Sequence, residues 1–368
     1  MAGTSVATVA AFSRHGAYIE DTPATIEHYG SIPKAIAAMR RAQMTHAWLR
    51  IHGRAPYGPA TRAQISQFLA ALRAANVSVA GWGWCQGDDP ARDAAVALGE
   101  IQRFGLDAYL ADIEPDNTKW TVAKITTFCT ALRAGFHGAL AVTSYPLIDW
   151  HEPALLKATL PYVDMVNPQI YWFHFPNAKM VAQFPRPGGG RYRTDSAADY
   201  TDLCLERWRK LMAGSQKPIV VSGQAYWGEN GITQGEVEAK VSEFLGSWNG
   251  YATIAGFNWY SLGGDTTMSP AMLTAITAAK LGDKIYASGV VLQPKSAQPE
   301  VAHTPAAAPP RKAGKATGLS LDARAAEAAK SIARARTVEE AGTTRHPRAV
   351  KSDARARRGT TRPPRKSV

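Results

Sequence analysis

Eight short apolar runs alternate with longer amphipathic segments between residues 5 and 281. The runs are rich in β-branched and aromatic residues without strict alternation, which is typical of strands covered on both faces. The predicted strands are 6–12, 47–51, 79–84, 108–114, 140–144, 165–171, 218–223 and 254–259. The predicted helices are 32–42, 60–75, 91–104, 122–134, 151–159, 197–212, 234–245 and 271–281. Eight β-then-α units predict an α/β fold of the (β/α)8 barrel type.

A doubly wound open sheet is the competing architecture for this pattern. Such sheets usually carry a glycine-rich phosphate loop after the first strand. Here the first predicted strand is followed by Ser13-Arg14-His15-Gly16, so the barrel is favoured. The longest connection, 172–195, contains three consecutive glycines and is expected to wall a cleft or act as a lid.

The charge divides the chain into two parts. The formal net charge is +12, and residues 287–368 contain 17 Lys and Arg against 6 Asp and Glu. Residues 1–286 are almost balanced, at 25 against 24. We therefore expect a barrel over 1–285 and a mostly disordered Ala/Pro/Arg/Lys-rich basic tail over 286–368. Such a tail attracts anionic polymers, nucleic acid or cell-wall polyanions, by releasing their counterions, although it could also be only a solubilising extension.

Other compositional features exclude several classes of site. Three widely spaced cysteines form neither a disulfide framework nor a zinc site, and the histidines are scattered, so no metal or cofactor is expected. There is no apolar run of 18 residues, so no transmembrane segment is expected. The N-terminus lacks a basic n-region, so we expect no signal peptide. The localisation is otherwise unknown, with cytoplasmic synthesis and release by lysis or incorporation in a virion as the expected route.

Two acids end the fourth predicted strand. Asp112 and Glu114 are spaced i, i+2, which places both side chains on one face of a strand. Like charges at that spacing push their pKa values apart, so one carboxyl can retain a proton. Barrel enzymes carry their chemistry at the C-terminal strand ends, and a carboxyl pair of this kind suits acid-catalysed cleavage of a glycosidic bond.

Aromatic and amide side chains end most of the other predicted strands. Aromatic faces stack on sugar rings, while amides and hydroxyls pair with sugar substituents. The candidate substrate-binding residues are Arg50, Trp84, Tyr145, Gln169, Gln224 and Trp259. Structural roles are the alternative: the tryptophans could fill the barrel, Arg50 could pair with Asp112, and the glutamines could satisfy loop backbone groups. His52 is either a packed ring or a ligand contact.

The segment from Leu106 to Glu114 resembles the fourth-strand motif of family 18 glycoside hydrolases, the chitinase-like barrels. Asp107, Asp112 and Glu114 match the first Asp, the last Asp and the Glu of that motif, whereas Leu110 replaces its middle Asp. The segment Gln169-Ile170-Tyr171 is similar to the tyrosine-bearing sixth strand of that family. Trp259 falls where the family often has an eighth-strand tryptophan beneath the sugar.

The Asp-x-Glu spacing also resembles family 25 muramidases, which cleave peptidoglycan. Those enzymes carry an Asp on the first strand, where this chain is expected to have Ser13 and Arg14. The resemblance therefore implies a glycosidase-like barrel without fixing the family.

The chitinase-like resemblance implies a catalytic set of Glu114, Asp112 and Tyr171. Glu114 would be the general acid, and Asp112 would hold the N-acetyl group whose carbonyl attacks the sugar carbon. Tyr171 would hydrogen-bond that carbonyl. The implied substrate is an N-acetylated polysaccharide, either peptidoglycan or a chitin-like polymer. The alternative is a non-catalytic carbohydrate-binding or structural barrel of a phage particle or surface assembly.

Overall fold

The computed structural model of the protein describes residues 9–114, 119–172, 183–215 and 217–285. The predicted basic tail lies outside these residues, as do residues 173–182 of the predicted long connection. The boundary between barrel and tail at residue 285 therefore stays a prediction.

Eight parallel strands close into a barrel in sequence order, which confirms the predicted fold. Closure is made by β1 and β8, where Gly16 pairs with Asn258. The strands are β1 (Arg14–Ile19), β2 (His46–His52), β3 (Ser78–Cys85), β4 (Ala108–Ile113), β5 (Ala139–Ser144), β6 (Met165–Ile170), β7 (Val220–Gln224) and β8 (Gly256–Tyr260).

Helices follow the strands and cover the outside of the barrel. Several begin where the sequence supplies a cap: Asp89 accepts from the amide of Arg92, and Thr233 forms a reciprocal capping box with Glu236. The helices are α1 (Thr22–Tyr29), α2 (Ile32–Arg41), α3 (Pro59–Ala74), α4 (Pro90–Phe104), α5 (Val122–Gly135), α6 (Pro153–Thr159), α7 (Ala197–Leu211), α8 (Gln234–Ser247), α9 (Pro270–Ala279) and α10 (Leu281–Lys284). Helix α1 was not predicted.

The predicted first strand, 6–12, is wrong. Residues Ala10–Phe12 form a short 3-10 helix, and the strand follows at Arg14–Ile19. The helix is apolar because it closes the bottom of the barrel: the Phe12 ring lies 5.7 Å from that of Trp48, whose Nε1 donates to the Ala11 carbonyl at 2.7 Å. A buried 3-10 helix and a buried strand have similar apolar compositions. A segment of only three residues is also too short for its length to distinguish the two.

Strand alternation divides the buried side chains into an inner and an outer core. The outer core packs the strands against the helices, as with Phe257 and Trp259 against Phe244 of α8. The inner core fills the barrel and contains Phe12, Tyr18, Trp48, Ala80, Trp82, Ala108, Leu110, Ala139, Ala141, Met165 and Val220. On each strand, the inward-facing residues that follow this core at i, i+2 spacing lie at the C-terminal mouth of the barrel.

None of the described helices is long and apolar enough to cross a membrane.

Candidate active site

Asp112 and Glu114 lie at the C-terminal mouth of the barrel, as predicted. Asp112 ends the inward-facing series of β4 after Ala108 and Leu110, and it is 8% exposed. Glu114 is half-buried one residue beyond the strand. The spacing of two residues therefore brings both acids to the same rim.

The pKa of Asp112 is raised well above its usual range, first by burial and then by the charge of Glu114. The charge of Arg50 and a hydrogen bond from Gln169 act in the opposite direction. In that bond Gln169 Nε2 donates to Asp112 Oδ1 at 3.0 Å. The pair thus retains a proton to higher pH than an ordinary carboxyl.

The sequence missed an acid at the end of β1. Glu20 follows Ile19, and its Oε1 lies 3.3 Å from Arg50 Nη1. The expectation that the first strand ends at Ser13 and Arg14, without an acid, is therefore wrong. Gly16 and Tyr18 of β1 and Glu20 directly after it have i, i+2 spacing, a pattern that the misplaced predicted strand concealed.

Arg50 is a mouth residue, and the structure pairs it with Glu20 by a salt bridge. Its guanidinium also lies 5.0 Å from the centre of the Trp82 ring, at cation–π distance. Its charge still acts on Asp112, whose pKa it lowers.

Three tyrosines cluster at the C-terminal ends of β6, β7 and β8. The centre of the Tyr171 ring lies 5.2 Å from that of Tyr226 and 5.5 Å from that of Tyr260. The ring centres of Tyr226 and Tyr260 are 5.7 Å apart. Burial raises the pKa of all three phenols, so each stays protonated and can donate a hydrogen bond. Tyr226 and Tyr260 thus join the predicted Tyr171.

Trp259 does not line the mouth, contrary to the prediction. It is fully buried between the barrel wall and the helices. The centre of its ring lies 4.8 Å from that of Phe257 and 6.0 Å from that of Trp172. Its Nε1 donates to His15 Nε2 at 2.9 Å. A ring in that position has no face for a sugar, and the inward-facing residue of β8 is its neighbour Tyr260.

His52 is likewise a packed ring outside the barrel wall. A register shift between Arg50 and His52 in β2 changes the parity of the strand, so His52 lies opposite Gly83. His52 Nε2 hydrogen-bonds with the Tyr109 hydroxyl at 2.7 Å.

The remaining candidates lie around the mouth. Trp84 is half-buried and pairs in register with Asp112. Tyr145 is half-buried just beyond β5, with its ring 4.1 Å from that of His151. Gln224 is fully buried at the end of β7, and its Nε2 donates to the Tyr226 carbonyl at 3.2 Å. Gln224 therefore positions the tyrosine segment.

No group of three or more His, Cys, Asp or Glu side chains that could hold a metal ion occurs within the described residues.

Solved structures share this architecture, although no protein-family model and no curated protein matches the chain. The catalytic domain of a hyperthermophilic chitinase from Pyrococcus furiosus gives a TM-score of 0.50 at 12% identity, over 76% of this chain and 98% of that chain. The protein shares the (β/α)8 barrel fold of that domain. At this identity the likeness supports the fold alone.

Two further matches are a class V chitinase from Pseudomonas fluorescens Pf-5 and a GH113 β-mannanase from Alicyclobacillus acidocaldarius. The first has a TM-score of 0.47 at 12% identity, over 73% of this chain and 99% of that chain. The second has a TM-score of 0.46 at 12% identity, over 74% of this chain and 98% of that chain.

Proposed function

We propose that the protein hydrolyses an N-acetylated polysaccharide, either peptidoglycan or a chitin-like polymer, with Glu114 as the general acid. The observation that supports this most is the buried Asp112 carboxyl beside Glu114 at the barrel mouth, where burial and then the charge of Glu114 raise the pKa of Asp112. Two acids in a low-dielectric mouth cost free energy that a purely structural pair rarely recovers, so a catalytic role explains their retention.

The proton that the pair retains must lie on Glu114 for cleavage. A substrate acetamido N–H that donates to Asp112 would stabilise its carboxylate and lower its pKa, which transfers the proton to Glu114. Glu114 then protonates the leaving oxygen as the acetamido carbonyl attacks the anomeric carbon. Afterwards Glu114, as the carboxylate, removes a proton from the water that opens this intermediate.

Tyr171 supports the same step as a hydrogen-bond donor. Its phenol stays protonated because burial raises its pKa, and it faces Tyr226 and Tyr260 at the mouth. A phenol that donates to the acetamido carbonyl orients that oxygen toward the anomeric carbon.

The test is Glu114→Gln, assayed as new reducing ends from chitin oligomers and from purified peptidoglycan. Hydrolysis should be abolished while oligosaccharide binding remains, because Gln has a similar shape but no acidic proton. The matched control is Glu27→Gln, which changes an exposed acid on α1. A Glu114→Gln variant as active as the wild type contradicts the assignment.

A non-catalytic carbohydrate-binding or structural barrel is the second candidate. One observation favours it: Leu110, at the position of the motif's middle Asp, is fully buried in the apolar inner core. The two candidates differ in the same assay. Retention of the protein on chitin or peptidoglycan, without new reducing ends, supports the binder.

A further inference from the structure

Three N–H groups near the ends of β2 and β3 are buried without a hydrogen-bond partner in the described part of the chain. They are Arg50 Nε, Trp84 Nε1 and Gln86 Nε2. A buried donor left unpaired costs on the order of 1–3 kcal/mol, so each requires an explanation. We call this set the donor wall.

The donor wall lies beside the catalytic acids. Arg50 pairs in register with Trp82, and Trp84 follows two residues later on the same face of β3. Trp84 in turn pairs in register with Asp112 on the neighbouring strand. Gln86 lies two residues beyond Trp84 and is only 5% exposed.

The three nitrogens of the donor wall are all hydrogen-bond donors. An indole nitrogen, a guanidinium nitrogen and an amide nitrogen donate hydrogen bonds and accept none. The positive charge of Arg50 is already paired with Glu20, so the wall does not require an anion. A neutral oxygen acceptor satisfies the wall, whereas an ammonium group would place donors against donors.

We propose that Arg50, Trp84 and Gln86 form a subsite that binds the acyl carbonyl oxygen of an N-acyl amino sugar and rejects the free amine. This rests on the proposed function for the general substrate class, and it adds residues that select the acylated form. The subsite lies at the ends of strands two and three, on the other side of Asp112 from Gln169 and Tyr171. It therefore receives the acyl group of a different sugar unit from the one whose acetamido carbonyl Tyr171 orients.

Binding to the full-length Glu114→Gln protein, which cannot turn over substrate, tests this. The probes are chitotetraose and its fully de-N-acetylated counterpart, titrated by calorimetry. The acetylated tetramer should bind about tenfold more tightly, since one unmatched buried donor is equivalent to about that factor. Equal binding of the two tetramers overturns the proposal.

Gln86→Glu in the same background gives the sharper result. The change keeps the shape of the side chain and replaces the donor with a negatively charged acceptor. Chitotetraose should then bind about tenfold more weakly while the de-N-acetylated tetramer binds more tightly, because a carboxylate attracts ammonium. An unchanged ratio of the two affinities means that the Gln86 amide does not contact the acyl group, and the proposal fails.

Two further variants separate the wall from general effects. Gln102→Glu makes the same chemical change at an exposed position of α4 and should leave both affinities unchanged. Trp84→Phe keeps an aromatic ring but removes the N–H, and should weaken chitotetraose binding several-fold more than binding of the de-N-acetylated tetramer. An equal effect of Trp84→Phe on both tetramers contradicts a role for that N–H.

The binding experiment is independent of hydrolysis. If wild-type protein releases no reducing ends but the affinity ratio changes with Gln86→Glu, the proposed enzymatic function fails and the subsite stands. If hydrolysis occurs and the ratio does not change, the subsite alone is wrong.

Discussion

Gln169 and Asp112 face each other across the barrel mouth, with Gln169 Nε2 donating to Asp112 Oδ1 at 3.0 Å. The residues come from β6 and β4, which are two strands apart around the barrel. The bond stabilises the carboxylate and acts against the burial and the Glu114 charge that raise the pKa of Asp112. The protonation of the acid pair therefore depends on a neutral residue 57 positions away in the sequence.

Gln169→Leu should shift the pH–activity profile to higher pH. The variant removes a hydrogen bond to the ionised form, so the pKa of Asp112 rises further. A hydrogen bond to a charged group contributes about 1.5–3 kcal/mol, so kcat/KM at neutral pH should fall roughly 10- to 100-fold. The measurement is kcat/KM against pH on a soluble oligosaccharide. Gln102→Leu on exposed α4 is the control.

Glu20→Gln should shift the same profile in the opposite direction. The charge of Glu20 raises the pKa of Asp112, and that of Arg50 lowers it. Removing Glu20 deletes the first effect and releases Arg50 from its salt bridge, so both consequences lower the pKa of Asp112. A profile that moves to higher pH, or one identical to that of Glu27→Gln, contradicts this reading of the mouth.

The sequence predicted the barrel and the two acids because these depend on strong, local patterns. Eight apolar runs separated by helical segments leave few topologies, and the i, i+2 spacing of Asp112 and Glu114 holds wherever the strand ends. Neither inference requires knowledge of which face of a strand points inward.

The sequence could not predict which residues of a strand face the inside of the barrel. Strands of a covered barrel are apolar on both faces, so the sequence shows no alternation from which to assign an inner side. Trp259 and Tyr260 are adjacent, and the sequence does not show that Tyr260, rather than Trp259, faces the mouth. His52 shows a second cause, because a register shift in β2 changes the parity within the strand. Glu20 was missed because an apolar plug occupied the predicted place of β1.

Trp259→Phe should lower stability without changing oligosaccharide affinity. The ring is fully buried in the outer core, and its N–H donates to His15. Loss of that bond and of part of the packing should cost about 1–3 kcal/mol of the free energy of unfolding. Urea unfolding measures the first effect and calorimetric titration the second. Weaker binding with unchanged stability contradicts the outward placement of Trp259.

Stability should fall as the pH falls from about 6.5 to 4. Burial lowers the pKa of His15 to about 3 and that of His46 to about 4, so both are neutral in the folded protein. The unfolded chain binds protons at these positions below pH 6.5, so the free energy of unfolding falls with decreasing pH in that window. Each histidine contributes a slope of up to about 1.4 kcal/mol per pH unit.

The raised pKa of Asp112 opposes this trend, because the folded protein then binds a proton that the unfolded chain does not. Burial also lowers the pKa of His52 and raises that of Asp93. Three histidines against two carboxyls still leave a net loss of stability in acid. Urea midpoints at pH 7, 6 and 5 measure it. His28→Gln on exposed α1 should leave the slope unchanged. A flat dependence between pH 6.5 and 5 contradicts the buried neutral histidines.

Removal of residues 287–368 should reduce salt-sensitive binding to anionic polymers and leave the unfolding transition of the barrel unchanged. The segment contains 17 of the 42 Lys and Arg residues of the chain, and the rest of the chain is nearly neutral. Each phosphate that a cation neutralises contributes about 0.9 to the slope of log K against log salt concentration on duplex DNA. The full-length protein should therefore show a steep slope and the truncated protein a shallow one. An equal slope for both proteins places the polyanion contacts on the barrel, and the tail is then only an extension.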